Sequence, residues 1–163
     1  MVSLPTREII GTVLVSLVFV VAAFIYYRIR QRRINQEQSL PRPESAAIGE
    51  SLFACFYVAT VFADSPLERV WAYGLGIRGQ ADLQHGDDGL SILRQGESSF
   101  LIPFSSLISL ERGNATIDRG VERDGLVQLR WELGGQELIT SLRVTKHQER
   151  NFSQLAEVVR KAK

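Results

Sequence analysis

Charge is missing from one stretch of the chain. Nineteen residues from Ile9 to Tyr27, IIGTVLVSLVFVVAAFIYY, pass without an acid or a base. Cysteine and histidine are scarce: Cys55 stands alone, and His85 and His147 are the two imidazoles. One cysteine excludes an intramolecular disulfide and fits a reducing compartment. Cys55 also lies inside an apolar run, where a small buried hydrophobe is expected rather than a reactive thiol. So few His and Cys leave no set for a zinc site, and a Ser-His-Asp or Cys-His system would need unrelated pieces. A basic excess is missing too. Residues 1–49 hold six bases and three acids, residues 50–163 thirteen and fifteen. The larger part is therefore slightly acidic, which argues against nucleic acid as a partner.

The uncharged stretch organises the rest. As a helix it covers roughly 28 Å, about the hydrocarbon thickness of a bilayer, and a lone segment in lipid satisfies its backbone only as a helix. Tyr26 and Tyr27 close it at the level where aromatic rings prefer the headgroups. Arg28, Arg30, Arg32 and Arg33 follow. This arginine bias predicts a single-pass protein of the inner (plasma) membrane, with residues 1–8 outside and the C-terminal part cytoplasmic. The six residues Tyr26, Tyr27, Arg28, Arg30, Arg32 and Arg33 form the expected membrane interface, and the bilayer is the first expected partner. The apolar core is longer than the roughly 7–15 residues of a cleaved signal peptide. Thr12, Ser16 and Gly11 give no strong helix-packing seam within it.

Residues 28–49 read as a basic juxtamembrane segment followed by a flexible tether. The stretch from Ile34 to Glu50 is polar, with Pro41 and Pro43 on either side of Arg42, and proline disfavours helix at the residue before it. Residues 50–163 are long enough for one domain with a real core. Leu52–Phe62 is a buried strand by its aromatic and β-branched content, ended by Asp64-Ser65-Pro66. Further strands are expected at Leu90–Arg94, Ser99–Ile102, Leu107–Glu111, Leu126–Leu133 and Glu137–Val144. Turn signals separate them at Gly79, Gly86–Gly89, Gly96, Gly113-Asn114, Gly120, Asp124-Gly125 and Gly134-Gly135. In Leu126–Leu133 the alternation of Val127, Leu129, Trp131 and Leu133 with Gln128, Arg130 and Glu132 marks a half-buried antiparallel strand. Lys146–Lys163 contains no Gly or Pro, and Phe152, Leu155, Ala156 and Val159 form one helical stripe.

Three motifs carry less than their letters promise. Gly74-x-Gly76-x-x-Gly79 has the spacing of a phosphate-binding loop, but turn residues arrive too soon afterwards for the helix such a loop needs, so bends between strands are expected. Asp82, His85, Asp87 and Asp88 suit a hairpin turn better than a metal. The triplets Asn114-Ala115-Thr116 and Asn151-Phe152-Ser153 match a glycosylation acceptor that a cytoplasmic domain would never use.

The order of one span, one tether, about seven strands and one closing helix resembles bacterial single-pass membrane proteins with a pleckstrin-homology-like (PH-like) domain. The residues carrying the resemblance are Tyr57-x-Ala59-Thr60 with Asp64–Val70, Asp87–Leu90, Ile102–Leu107, and Gly125–Gly135. It implies a mainly-β antiparallel barrel or sandwich capped by a C-terminal helix. The fold hosts lipid, peptide and protein binding alike, so it is nearly silent on activity. Inositide-binding PH domains use a basic first loop, whereas the corresponding Asp64–Arg69 here holds two acids and one base. The expectation is a membrane-tethered binding or scaffolding module for a protein or peptide partner. It is not an enzyme, and no cofactor, metal or small-molecule substrate is implied. The alternative is an accessory subunit of a membrane export or transport assembly.

Overall fold

The computed structural model describes residues 6–113 and 125–162. The expected turns at Asn114 and Gly120, the residue Asp124, the triplet Asn114–Thr116, the first five residues and Lys163 lie outside them.

Helix α1, Thr6–Ser39, contains the uncharged stretch and continues well beyond it. Its apolar window has a mean hydropathy of 2.7, with none of it buried against protein, which makes it one candidate membrane span near the N-terminus. No Gly or Pro interrupts the sequence between Arg28 and Leu40, and i,i+4 partners support the polar turns. Gln31 Nε2 donates to Asn35 Oδ1 at 3.3 Å and Arg33 Nε to Glu37 Oε1 at 2.8 Å. Such pairs stabilise helix where polar composition alone suggests coil. Pro41 sets the boundary, as proline disfavours helix before it.

Seven strands make one antiparallel sheet: β1 (Glu50–Phe62), β2 (Gly79–His85), β3 (Gly89–Arg94), β4 (Phe100–Pro103), β5 (Leu107–Gly113), β6 (Leu126–Leu133) and β7 (Gln136–Arg143). Their order is β4-β3-β2-β1-β7-β6-β5. The long β1 is shared between two wings. Its first half pairs with β2 and its second with β7, and the register shifts between Tyr57 and Ala59 where the partners change. A bulge of this kind bends a strand and increases its twist. The wings therefore curl around one core, in which Leu83, Leu90, Ile92 and Ile102 meet Leu129, Trp131, Leu138 and Leu142. Phe100 of β4 lies 5.9 Å from Trp131 of β6, nearly parallel to it, although four strands separate them in the sheet.

The seven strands and closing helix are those of a PH-like fold. Strand β6 spans the predicted Leu126–Leu133. Strand β2 was not anticipated, because GQADLQH shows only Ala81 and Leu83 inward. Helix α2, Gln148–Ala162, buries Leu155 completely, while Phe152, Val158 and Val159 are partly buried against the core. Arg112 of β5 reaches α2 with two hydrogen bonds to Glu149, at 2.7 and 2.8 Å, and its guanidinium lies 4.2 Å from the Phe152 ring centroid.

The tether expected over Ile34–Glu50 is different in the structure. Residues 34–39 belong to α1, and residues 40–49 lie as a strap along the sheet. Leu40 is a core residue. Pro41 sits so close to the β6–β7 turn that a Cβ on Gly134 would run into its ring. Ser45 bridges Phe100, the Glu44 carbonyl accepts the Leu101 amide at 2.9 Å, and the Ala47 amide donates to Ser91 Oγ at 3.1 Å. The strap thus covers the outer edge of β4, one answer to the hazard of an open strand edge. Composition hid it because its contacts are with residues about 33 to 93 positions away, for which local sequence holds no signal.

Candidate functional site

The predicted interface residues occupy consecutive turns of α1. At 100° per residue Arg28 and Arg32 share one side while Arg33 and Arg30 lie successively further round, so the four make a broad collar and not a narrow face. Tyr26 and Tyr27 are 68% and 61% exposed, so both rings are open to a headgroup layer. Arg28 lies 6.0 Å from the Phe24 ring centroid. Arg33 turns the other way and pairs with Glu37.

Where the collar ends, α1 is clamped to the domain by residues that sequence reasoning missed. The clamp grips the segment joining β1 to β2, which contains a short 3-10 turn, Ala72–Gly74. The first amides of such a turn have no partner within it. Helix α1 supplies them. Gln36 Oε1 accepts from the Trp71 and Ala72 amides at 2.5 and 3.2 Å, and Glu37 Oε1 from the Tyr73 amide at 3.3 Å. Gln36 Nε2 returns a bond to the Arg69 carbonyl at 3.2 Å, and the Tyr73 hydroxyl donates to the Leu40 carbonyl at 2.9 Å. Gln36 is 9% exposed, and its bond to the Ala72 amide is buried, where an unmade one is costly. A continued i,i+4 pattern through Glu37 was the available sign that the helix runs on. Nothing local marked Gln36 itself.

The carbonyl end of the turn is held from the core. Arg94, 7% exposed, donates Nη1 to the Gly74 carbonyl at 2.7 Å and Nη2 to that of Tyr73 at 3.4 Å. Its Nε and Nη2 reach the Ser98 carbonyl at 2.9 and 2.5 Å, and it faces the rings of Tyr57 and Phe100 at 4.9 and 5.3 Å. The Tyr57 hydroxyl donates to the Leu75 carbonyl and lies 2.6 Å from Thr60 Oγ1, which is 2.7 Å from Thr140 Oγ1. That oxygen accepts from Trp131 Nε1 at 3.0 Å. Burial pushes the Tyr57 hydroxyl up to about 12, so it stays protonated for this role.

The remaining motif residues are dispersed. Gly74 has φ +71, the left-handed conformation glycine adopts readily, and Gly79 opens strand β2 rather than a helix. Asp82 accepts from Ser51 Oγ and Gln84 Nε2, both at 2.9 Å, His85 Nε2 lies 3.5 Å from Glu50, and Asp87 and Asp88 are exposed in the β2–β3 turn. Asn151 is in α2 and donates to the Lys146 carbonyl. His147, exposed, precedes α2 and accepts the Asn151 amide on its carbonyl. In the first loop, Arg69 donates Nη1 inward to the Gly76 carbonyl at 3.1 Å, while Asp64 and Glu68 are exposed. Cys55 is half-buried, and burial pushes its thiol up to about 12, with nearby Asp82 adding to the effect.

No curated protein matches the chain. The profile of a family described as bacterial PH domain-like matches residues 37–158, three quarters of its length. That match begins within the clamp, at Glu37, and ends in α2. Its reach, with the seven antiparallel strands and closing helix, places this chain in the bacterial PH domain-like family.

Proposed function

We propose that the protein is a membrane-anchored scaffolding module, without enzymatic activity, that holds its PH-like domain at a set height on the cytoplasmic face of the inner membrane for a protein or peptide partner. The observation carrying this reading is the unbroken helix from the candidate span into the clamp. A flexible tether would only keep a domain near a bilayer. A helix gripped by Gln36, Glu37 and Leu40 also gives it a height and an orientation. Residues 28–39 make a stalk of about 18 Å. The arginine collar at its base supports the cytoplasmic placement and adds contact with anionic lipid, on the order of 1 kcal/mol per residue near the surface.

Photocrosslinking in native membranes tests this. Ile48 and Leu67 are 97% and 83% exposed, so a photoreactive side chain at either position leaves the core intact. The expected result is a discrete protein adduct that disappears when residues 28–35 are replaced by an equally long Gly/Ser segment. No adduct from either position, or one indifferent to the replacement, would sink the scaffold reading. Capture of a set of transport proteins would favour the export-subunit alternative.

A further inference from the structure

The turn between β1 and β2 is held in a conformation that it does not favour alone. Tyr73 has φ 53, left-handed geometry that a side-chain-bearing residue adopts at a cost. Strand β1 fixes the far end of the turn, where the Leu75 carbonyl accepts from the Thr60 amide and the Tyr57 hydroxyl, and two other parts of the molecule hold the bend itself. The amides of Trp71, Ala72 and Tyr73 are bound by Gln36 and Glu37 of the stalk, and the carbonyls of Tyr73 and Gly74 by Arg94 of β3. Arg94 in turn holds the Ser98 carbonyl in the β3–β4 turn.

We propose that the Trp71–Leu75 turn is a relay, coupling the position of the stalk helix to the β3–β4 turn through Arg94. Withdrawing the stalk takes the acceptors from three amides, that of Ala72 buried and those of Trp71 and Tyr73 half-buried, and Tyr73 then relaxes toward ordinary geometry. The Tyr73 and Gly74 carbonyls swing with it, and Arg94 loses two of the three carbonyls in the cage that orients it. The Ser98 end of the cage loosens next. The coupling acts in reverse as well, since the free energy linking two sites is reciprocal. The strain at Tyr73 gives the turn a second conformation to go to, which a coupling element requires. Only the use of this relay as a signal from the membrane rests on the anchored reading above; the coupling itself needs no partner.

Hydrogen exchange on the full chain in lipid nanodiscs tests it. Gln36→Leu removes the acceptor and the donor while keeping bulk. The expected result is faster exchange in residues 71–75 and also in residues 94–100, by about fivefold or more, with residues 136–143 unchanged. Arg94→Gln should speed exchange in residues 71–75 and in 36–40 of the stalk. Acceleration confined to 71–75 in the first variant, or absent from 36–40 in the second, overturns the relay. If Gln36→Leu speeds exchange everywhere, it has unfolded the domain, and the gentler Glu37→Ala, which removes the acceptor of the Tyr73 amide alone among the three, decides by the same criteria. Because no partner is present, the relay can fail while the crosslinking succeeds, and the reverse.

Discussion

Leu155 is the residue of α2 with no solvent exposure, although the helical stripe gives Phe152, Leu155, Ala156 and Val159 equal standing. Periodicity identifies a face, but depth along it depends on what the face meets. At Phe152 the neighbour is Arg112, whose guanidinium covers the ring and leaves it half-buried. Leu155→Ala should therefore cost about 2–5 kcal/mol, within the range for buried Leu in other cores. Phe152→Ala should cost less than the roughly 3–5 kcal/mol of a fully buried ring. Denaturant melting of residues 34–163 ranks the two; equal costs would show that α2 seats deeper than described. Cys55 makes a chemical prediction at the same scale. With its pKa near 12 almost no thiolate exists at neutral pH, and the thiolate is the reactive form. Maleimide or disulfide reagents should label it slowly in the folded chain at pH 7–8 and quickly in denaturant. Fast labelling of the folded protein would mean that the β1 corner opens readily.

Among the elements, those that declare themselves locally were legible. Strand β6 alternates over its whole length, and Gly134-Gly135 turns it into β7 through two left-handed glycines. Strand β2 was illegible because its outward Gln80, Asp82 and Gln84 outnumber its inward residues, and pairing with β1 and β3 supplies what hydrophobicity does not. The strap was illegible for a different reason: a proline-bearing polar stretch is the composition of a linker. Its true role depends on Gly134, Phe100 and Ser91, which the fold alone brings near. The clamp was illegible likewise, since Gln36 has its partners 33 to 36 residues later. A fragment starting at Glu50 thus lacks Leu40, whose full burial contributes about 1.5–3 kcal/mol, along with the cover on β4. Residues 50–163 should melt at a clearly lower denaturant concentration than residues 34–163, and should aggregate more readily. Equal midpoints would show the strap to be an ornament on a domain that begins at Glu50.

For the whole molecule, membrane side and lipid contact are predictions of the charge pattern. A reporter fused after the last residue should behave as cytoplasmic; activity of a periplasm-only reporter there would reverse the proposed orientation. Residues 50–163 carry more acids than bases, and the one base of the first loop is turned inward. Residues 34–163 should therefore ignore anionic vesicles at physiological salt. Extending the fragment back to Arg28 should create binding that weakens as salt rises. Salt-resistant binding of the shorter fragment to one lipid would revive a headgroup pocket. The double pairing of β1 has a consequence in time. During synthesis α1 emerges first and can enter the bilayer while the rest is unmade. Strand β1 follows, but its second partner, β7, starts about 75 residues after β1 ends, about 4–15 s at ordinary elongation rates. For those seconds the Ala59–Phe62 edge of an apolar strand has no partner, and in the anchored reading proposed above it waits there on a chain already tied to the membrane. Nascent chains of this protein should therefore be most prone to aggregation, and most in need of a chaperone, between the release of Phe62 and that of Arg143.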